Sequence, residues 1–452
     1  MKKIILLFAL IGGISVTIAQ EDITGTWYGI LKTPNANLHL NFNISKEGKQ
    51  LKTTMDSPDQ GAFNIPTDKT NFKDNKIEIF LNAMLINYRG ILVKDSIIGT
   101  FSQNGMEFPL QLSKKEPHSK KKKTRPQDPK KPYPYQTEEV KFSNKKANNI
   151  KLSGTLSLPN NIKNPKVVIL ISGSGPQDRN SEIKQFDHRP FLVLADYLTK
   201  NGIAVLRFDD RGVGKSEGVF KDATSFDFAT DVESAIDYLQ SRNDINFSKI
   251  GIIGHSEGGL IAPIVASKRK DVNFIILLAG PGVDGGKILE TQSRKISELS
   301  GVPKTIIDKN EQLSKEIHAI IKKAKDTSEI KSKLTILLNK HPEISKKIYL
   351  QTYTNKWMLH FVKTNPQDFL KQVTCPILAL NGSKDVQVVS KINLEAIQKS
   401  TKENKKVSIK EIEGLNHLFQ TCKTGNINEY GTIEETFSPK ALLIITNWIN
   451  NL

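Results

Sequence analysis

The feature that most constrains this chain is a short run near its middle, Ile252-Ile253-Gly254-His255-Ser256-Glu257-Gly258-Gly259-Leu260-Ile261-Ala262. An apolar strand runs into it, and small and apolar residues suited to a buried helix run out. A strand that reverses directly into a helix needs glycine two residues on either side of the turn residue, because side chains there would collide. Such a turn holds Ser256 in a strained backbone conformation with its hydroxyl presented outward. The positive end of the following helix favours negative charge developing beside it. A chain carrying this run must be built around a buried sheet with a helix laid on its face.

The surrounding pattern agrees with such a sheet. Val167 to Ile171 is a continuous apolar run, as expected of a strand buried on both faces of a parallel sheet. A helical stretch from Arg189 to Asn201 follows, then the strand Ile203 to Phe208. A helix over Phe226–Arg242 places Phe228, Val232, Ala235, Ile236 and Leu239 on one face. Further strands are expected at Lys249–Ile253, Phe274–Leu278 and Ile377–Leu380, and this alternation predicts an α/β sheet with right-handed crossovers over residues 137–452. Residues 283–370 break the rhythm with long, charged helical segments. They read as an inserted cap over the C-terminal edge of the sheet, the position of a lid that selects substrate.

The first part of the chain has a different texture. Residues 1–19 read as a cleavable signal peptide, with Lys2 and Lys3, an apolar stretch from Ile4 to Ile11, and Thr17-Ile18-Ala19 before Gln20. The apolar run is short for a bilayer and is broken by Gly12 and Gly13. Export to the periplasm or the medium is expected, with no transmembrane segment in the mature chain. Residues 20–113 alternate with a period near two at Leu38–Ile44 and Lys76–Phe80, which predicts a small all-β accessory domain. Its strand starts at Gly25–Gly29 and Ile98–Phe101 resemble those of small lipocalin-like barrels.

Residues 114–136 are rich in Lys and Pro and are expected to form an extended linker. Within them, residues 114–131 hold nine Lys or Arg against Glu116 and Asp128, a large share of the formal net charge of +18. The remaining basic residues are scattered over helices without interleaved aromatics. A nucleic-acid partner is therefore not expected, since groove binding needs a basic folded face. Cys375 and Cys422 lie at opposite ends of a strand roughly 20 Å long. That separation predicts two separate thiols in place of a disulfide.

A serine needs a base to become a nucleophile, and the base needs an acid to orient it. Where the nucleophile sits on a strand-to-helix turn, the chain order is Ser, then Asp or Glu, then His. His417 lies in a loop after the strand-like Lys406–Ile412, whereas His341 and His360 fall in the cap. Asp385 ends Leu380-Asn381-Gly382-Ser383-Lys384-Asp385, on the C-terminal side of an apolar strand. Asp209 and Asp210 also end a strand, but they precede Ser256. The run from Asp209 to Ser216 reads as a structural turn without the spacing of a nucleotide loop. Backbone N–H groups of Glu257 and of Ser174, with Gly175 as the fallback, are the expected oxyanion donors.

Together, Ser172-Gly173-Ser174-Gly175-Pro176-Gln177-Asp178-Arg179, Asp210-Arg211-Gly212-Val213-Gly214-Lys215-Ser216 and Gly254-His255-Ser256-Glu257-Gly258-Gly259 resemble bacterial α/β-hydrolases. The match is to the carboxylesterase and serine-aminopeptidase-like group, over about residues 137–452, and several members carry an N-terminal β module. The resemblance implies the α/β-hydrolase fold and a cofactor-free, metal-free carboxylester hydrolase with Ser256, Asp385 and His417 as its triad. Its substrate would be a small-molecule or envelope-derived ester. One departure is Ser172, where many relatives have His. A peptidase or amidase on the same triad, or a non-catalytic envelope binding protein, are the alternatives.

Overall fold

The computed structural model describes residues 22–452 apart from 34–36, 49, 61, 104–105, 117–123, 343 and 345. The signal-peptide reading lies outside the described residues.

Alternating apolar residues produce an antiparallel meander in the first module. Its strands are β1 (Gly25–Lys32), β2 (Asn37–Glu47), β3 (Gln50–Ser57), β4 (Ala62–Pro66), β5 (Lys69–Lys73), β6 (Lys76–Leu81), β7 (Ile86–Val93), β8 (Ser96–Gln103) and β9 (Met106–Ser113). The sheet order is β4-β3-β2-β1-β9-β8-β7-β6-β5. The concave face buries Trp27, Phe42, Ile79, Tyr88 and Phe101. The sheet curls so that β5 approaches β3, where Thr70 Oγ1 donates to Thr53 Oγ1 at 2.8 Å and Thr67 N donates to Thr53 O at 3.0 Å.

The second module is an eight-stranded sheet among the described residues, ordered β10-β11-β13-β12-β14-β15-β16-β17. Its strands are β10 (Gln136–Asn144), β11 (Ile150–Leu158), β12 (Lys166–Ile171), β13 (Ile203–Phe208), β14 (Lys249–His255), β15 (Phe274–Leu278), β16 (Ile377–Gly382) and β17 (Val407–Ile412). From β13 to β17 neighbours are parallel, and the β10–β11 hairpin adds antiparallel strands at one edge. Helices α1 (Pro190–Lys200), α2 (Ser225–Ser241) and α3 (Gly258–Ala266) follow successive strands. The central strands are buried along nearly their whole length, which is why their sequences are continuous apolar runs. Thr224 and Asp227 form a reciprocal capping box at the start of α2.

The cap consists of α4 (Gly285–Leu299), α5 (Lys304–Lys323), α6 (Thr327–Leu338), α7 (Lys346–Tyr353), α8 (Lys356–Lys363) and the short α9 (Gln367–Leu370). It has its own core around Leu313, Ile317, Ile321, Leu334 and Val362. The chain then completes the sheet and ends with α10 (Ser390–Ser400) and α11 (Pro439–Asn450). The β module touches the cap where its turn Asn82–Met84 meets α7, and touches the sheet domain where Pro58–Gln60 meets Ile427–Glu429.

The segment expected to be an extended linker is tied down over its second half. Arg125 Nε and Nη2 donate to Phe186 O at 3.0 and 2.8 Å. The Gln127 side chain pairs with the backbone of Thr436 and Phe437, and Tyr135 Oη donates to Asp196 Oδ1 at 2.9 Å. Composition alone misses this because the acceptors are backbone carbonyls and carboxylates remote in sequence. Cys375 and Cys422 are separate thiols.

Candidate active site

The turn after β14 has the strain its sequence implies. Ser256 sits at φ +53°, a left-handed conformation that costs a residue with a side chain of order 1–3 kcal/mol. It is held there by Ser256 N donating to Leu278 O (2.9 Å) and Gly259 N donating to Ser256 O (2.8 Å). A Cβ on Gly254 would stand 2.0 Å from Gly258 O, and one on Gly258 would stand 2.3 Å from Ile171 O. Both glycines are therefore required by backbone packing.

Asp385 follows the end of β16, and its carboxylate is divided between two tasks. Oδ1 accepts from the N–H groups of Gln387 (2.8 Å) and Val388 (2.9 Å). Oδ2 is left to accept from His417 Nδ1 at 2.8 Å, and both side chains are buried. A proton fixed on Nδ1 leaves Nε2 of His417 free to act as a base toward the cavity that Ser256 shares. The loop bearing His417 is braced internally, since Asn416 Oδ1 accepts from Leu418 N (3.0 Å) and Gln420 N (2.9 Å).

His255 was not singled out from the sequence, yet it ties the two loops together. Its Nε2 donates to His417 O at 2.9 Å, and the two rings lie 4.8 Å apart. Burial, reinforced by the neighbouring His417, pushes the His255 pKa down to about 3, so the ring is a neutral donor at ordinary pH.

The loop after β12 passes close to the serine. A Cβ on Gly173 would lie 3.0 Å from Ser256 Cβ. Among the described residues, no acceptor is bonded to the N–H of Ser174 or of Glu257, the two donors expected for an oxyanion. Asp210 holds both ends of this loop, accepting from Ser172 Oγ (3.1 Å) and Gln177 N (3.0 Å). Ser172, the departure noted above, thus keeps a hydrogen-bonding task. Burial raises Asp210 to about 8 despite those donors, with Asp231 and Glu257 adding repulsion. Asp209 anchors the turn, accepting from Arg179 N, Nε and Nη2 and from Lys215 N. The run 209–216 therefore organises loops around the site.

The Glu257 side chain points away from the cavity and links domain to cap. Its Oε1 accepts from Ser225 Oγ (2.6 Å) and from Trp357 Nε1 (2.8 Å) of α8. Trp357 stacks on Phe361 with centroids 4.7 Å apart. These rings, with Ile288 and Leu289 of α4, form the apolar roof of a cavity of about 370 Å3 that also exposes Ser256 and His417. No Asp, Glu, Lys or Arg among the described residues lines it. No group of three or more His, Cys, Asp or Glu among the described residues is arranged to hold a metal ion.

A mostly parallel sheet with a serine on a strand-to-helix turn and a helical cap above it defines an α/β-hydrolase. Residues 188–421, more than half of the chain, match the family model described as serine aminopeptidase, S33, and the chain belongs to that family. Among curated proteins it is 24% identical over 267 residues to esterase EstD of Thermotoga maritima. That match covers 59% of this chain and 58% of EstD, so the chain spans less than two thirds of that relative. Among solved structures it is similar to the Pyrococcus furiosus esterase Pf2001, at 16% identity, 74% of this chain, 99% of that one and a TM-score of 0.45. Est1E from Butyrivibrio proteoclasticus with bound ferulic acid is 18% identical, over 69% of this chain and 98% of that one, with a TM-score of 0.41.

Proposed function

We propose that this chain is an exported serine hydrolase that cleaves carboxylic esters, with Ser256 as nucleophile, His417 as base and Asp385 as the orienting acid. The observation that carries the reading is the buried Asp385–His417 pair at 2.8 Å facing the same cavity as the strained Ser256. His417 Nε2 takes the proton as Ser256 Oγ bonds to the ester carbonyl carbon. The N–H groups of Glu257 and Ser174 receive the oxyanion. As the carbon–oxygen bond to the alcohol breaks, the imidazolium returns its proton to the leaving oxygen. Water, activated by His417, then releases the acid and regenerates the serine.

A peptidase on the same triad is the second reading, favoured by the description of the family model. An aminopeptidase needs a counter-charge for the substrate's free α-ammonium, and no carboxylate among the described residues lines this cavity. That chemistry supports the ester reading, as does the match to EstD, named an esterase.

The test compares wild type with Ser256→Ala for release of p-nitrophenol from p-nitrophenyl acetate, alongside a panel of aminoacyl p-nitroanilides. Ester turnover that falls by ~10⁶ in the variant supports the reading, that being the loss when a nucleophile of this kind is removed. Serine-dependent cleavage of the anilides alone would move the assignment to a peptidase. Export is tested by fractionating cells and sequencing the mature N-terminus, expected at Gln20.

A further inference from the structure

One wall of the cavity is a chain of neutral hydrogen bonds that crosses from cap to sheet domain. Gln292 Nε2, on α4, donates to Gln387 Oε1 at 3.4 Å, and Gln387 Nε2 donates to Tyr430 Oη at 3.0 Å. Gln387 lies two residues beyond Asp385, and its own N–H is already bound to that carboxylate. Counting donors and acceptors along the chain shows what it leaves open. Both polar ends of the Gln387 amide are engaged. Tyr430 Oη accepts from Gln387, so its own proton remains to be donated. Gln292 has donated, so its Oε1 remains to accept.

The chain thus leaves the Tyr430 O–H and the Gln292 Oε1, with the second N–H of each glutamine amide, to whatever occupies the cavity. An alcohol hydroxyl is a neutral group that can serve donors and acceptor alike, because it donates one proton and accepts at its oxygen. Burial holds the Tyr430 phenol well above its ordinary pKa, so it stays a donor. On the oxyanion-loop side a second neutral pair faces the same space. Ser181 Oγ donates to Gln177 Oε1 at 3.1 Å, and Gln177 Nε2 donates to Ser174 O at 3.4 Å. A charged substrate would meet no counter-ion here. A wholly aliphatic one would cover the Tyr430 donor and Gln292 acceptor without pairing them, which is costly. A cavity of about 370 Å3 has room for one ring-sized alcohol with a short acyl group.

The geometry points to esters whose alcohol half is an uncharged polyhydroxylated unit, a sugar or similar polyol, read through its hydroxyls by Tyr430 and Gln292 with Gln387 as the connecting amide. This inference rests on the ester-hydrolase reading above and narrows it to a substrate class.

The experiment measures acetate release from two esters with the same number of carbons. One is methyl glucoside acetylated on its primary hydroxyl, and the other is cyclohexylmethyl acetate, which has the ring and no hydroxyls. The readout is the ratio of kcat/KM for the two in wild type, Tyr430→Phe and Gln387→Leu. Wild type is expected to favour the glucoside ester by about tenfold or more, roughly one or two neutral hydrogen bonds' worth. Tyr430→Phe keeps the ring and its packing, and should bring the ratio down by about tenfold, with Gln387→Leu moving it in the same direction. A wild-type ratio near one, a preference for the cyclohexyl ester, or a ratio unmoved by Tyr430→Phe would overturn the inference. Those outcomes leave the hydrolase reading standing, because that reading fails separately, through absence of Ser256-dependent turnover of p-nitrophenyl acetate.

Discussion

Replacing His255 by Leu isolates a single bond that joins the loop of His417, the proposed base, to the strand leading into Ser256, the proposed nucleophile. In the intact protein Nε2–H of His255 donates to His417 O at 2.9 Å, from a ring that its surroundings keep neutral with a pKa of about 3. Leucine fills most of the space and donates nothing, so the carbonyl of a buried residue loses its partner. An unsatisfied buried acceptor costs about 1–3 kcal/mol, which should appear as a melting temperature lowered by several degrees. The larger effect falls on rate. The imidazole of His417 is held by Asp385 at one end and by this backbone bond at the other, and a shift of about 1 Å in a reacting group costs on the order of 10²-fold. Steady-state kinetics on p-nitrophenyl acetate should show kcat reduced ten- to a hundredfold, roughly, with KM changed far less. His255→Gln retains an N–H at similar reach and should recover most of the loss. Wild-type kcat in His255→Leu, or equal losses in the Leu and Gln variants, would refute the positioning role.

Three further outcomes follow from the geometry and charge of the fold. Gly254→Ala puts a Cβ 2.0 Å from Gly258 O, so the turn must open; activity on the same ester should drop by ~10² or more while far-UV circular dichroism is retained. Arg211 is buried and bonds Asp231 through Nε (2.7 Å) and Nη2 (2.9 Å), so Arg211→Leu should cost about 3–5 kcal/mol in urea unfolding, with part recovered by adding Asp231→Leu. Stability should also peak near pH 6.5. Burial, with Arg125 beside His188 and His417 beside His255, holds both histidines at about 3, so below 6.5 the unfolded chain binds protons that the folded chain refuses and stability falls. Asp210, raised to about 8 by burial, keeps a proton that the unfolded chain releases above 3.8, so its contribution is lost as pH rises toward 8. Burial lowers His318 as well and raises Asp231 as well, so each adds to the limb of its own kind. Stability is therefore expected to rise toward 6.5 and to fall beyond it. A urea series across pH 4.5–8 with a flat or inverted profile would contradict this.

What the sequence makes legible is local. The strand, turn and helix around Ser256 are contiguous, so their geometry is written in three glycines and an apolar run. The spans of β12, α2 and β15 follow from continuous or helical apolar periodicity, and their observed bounds fall within a residue or so of the expected ones. Contacts between residues far apart in sequence leave no such trace. Trp357 reaches Glu257 across 100 positions, and Gln292 reaches Gln387 across 95. Nothing periodic marks those glutamines or that tryptophan as cavity residues. The docking of Arg125 and Gln127 was hidden for the same reason, since a basic, proline-rich composition reports charge and stiffness without revealing which remote carbonyls it will meet.

The most direct test of the central claim is to treat the folded protein with a fluorophosphonate probe and locate the adduct by peptide mass spectrometry. The account predicts a single adduct on Ser256, absent from Ser256→Ala and formed far more slowly in His417→Ala. A folded protein that takes no label, or takes it on another serine, would contradict the account.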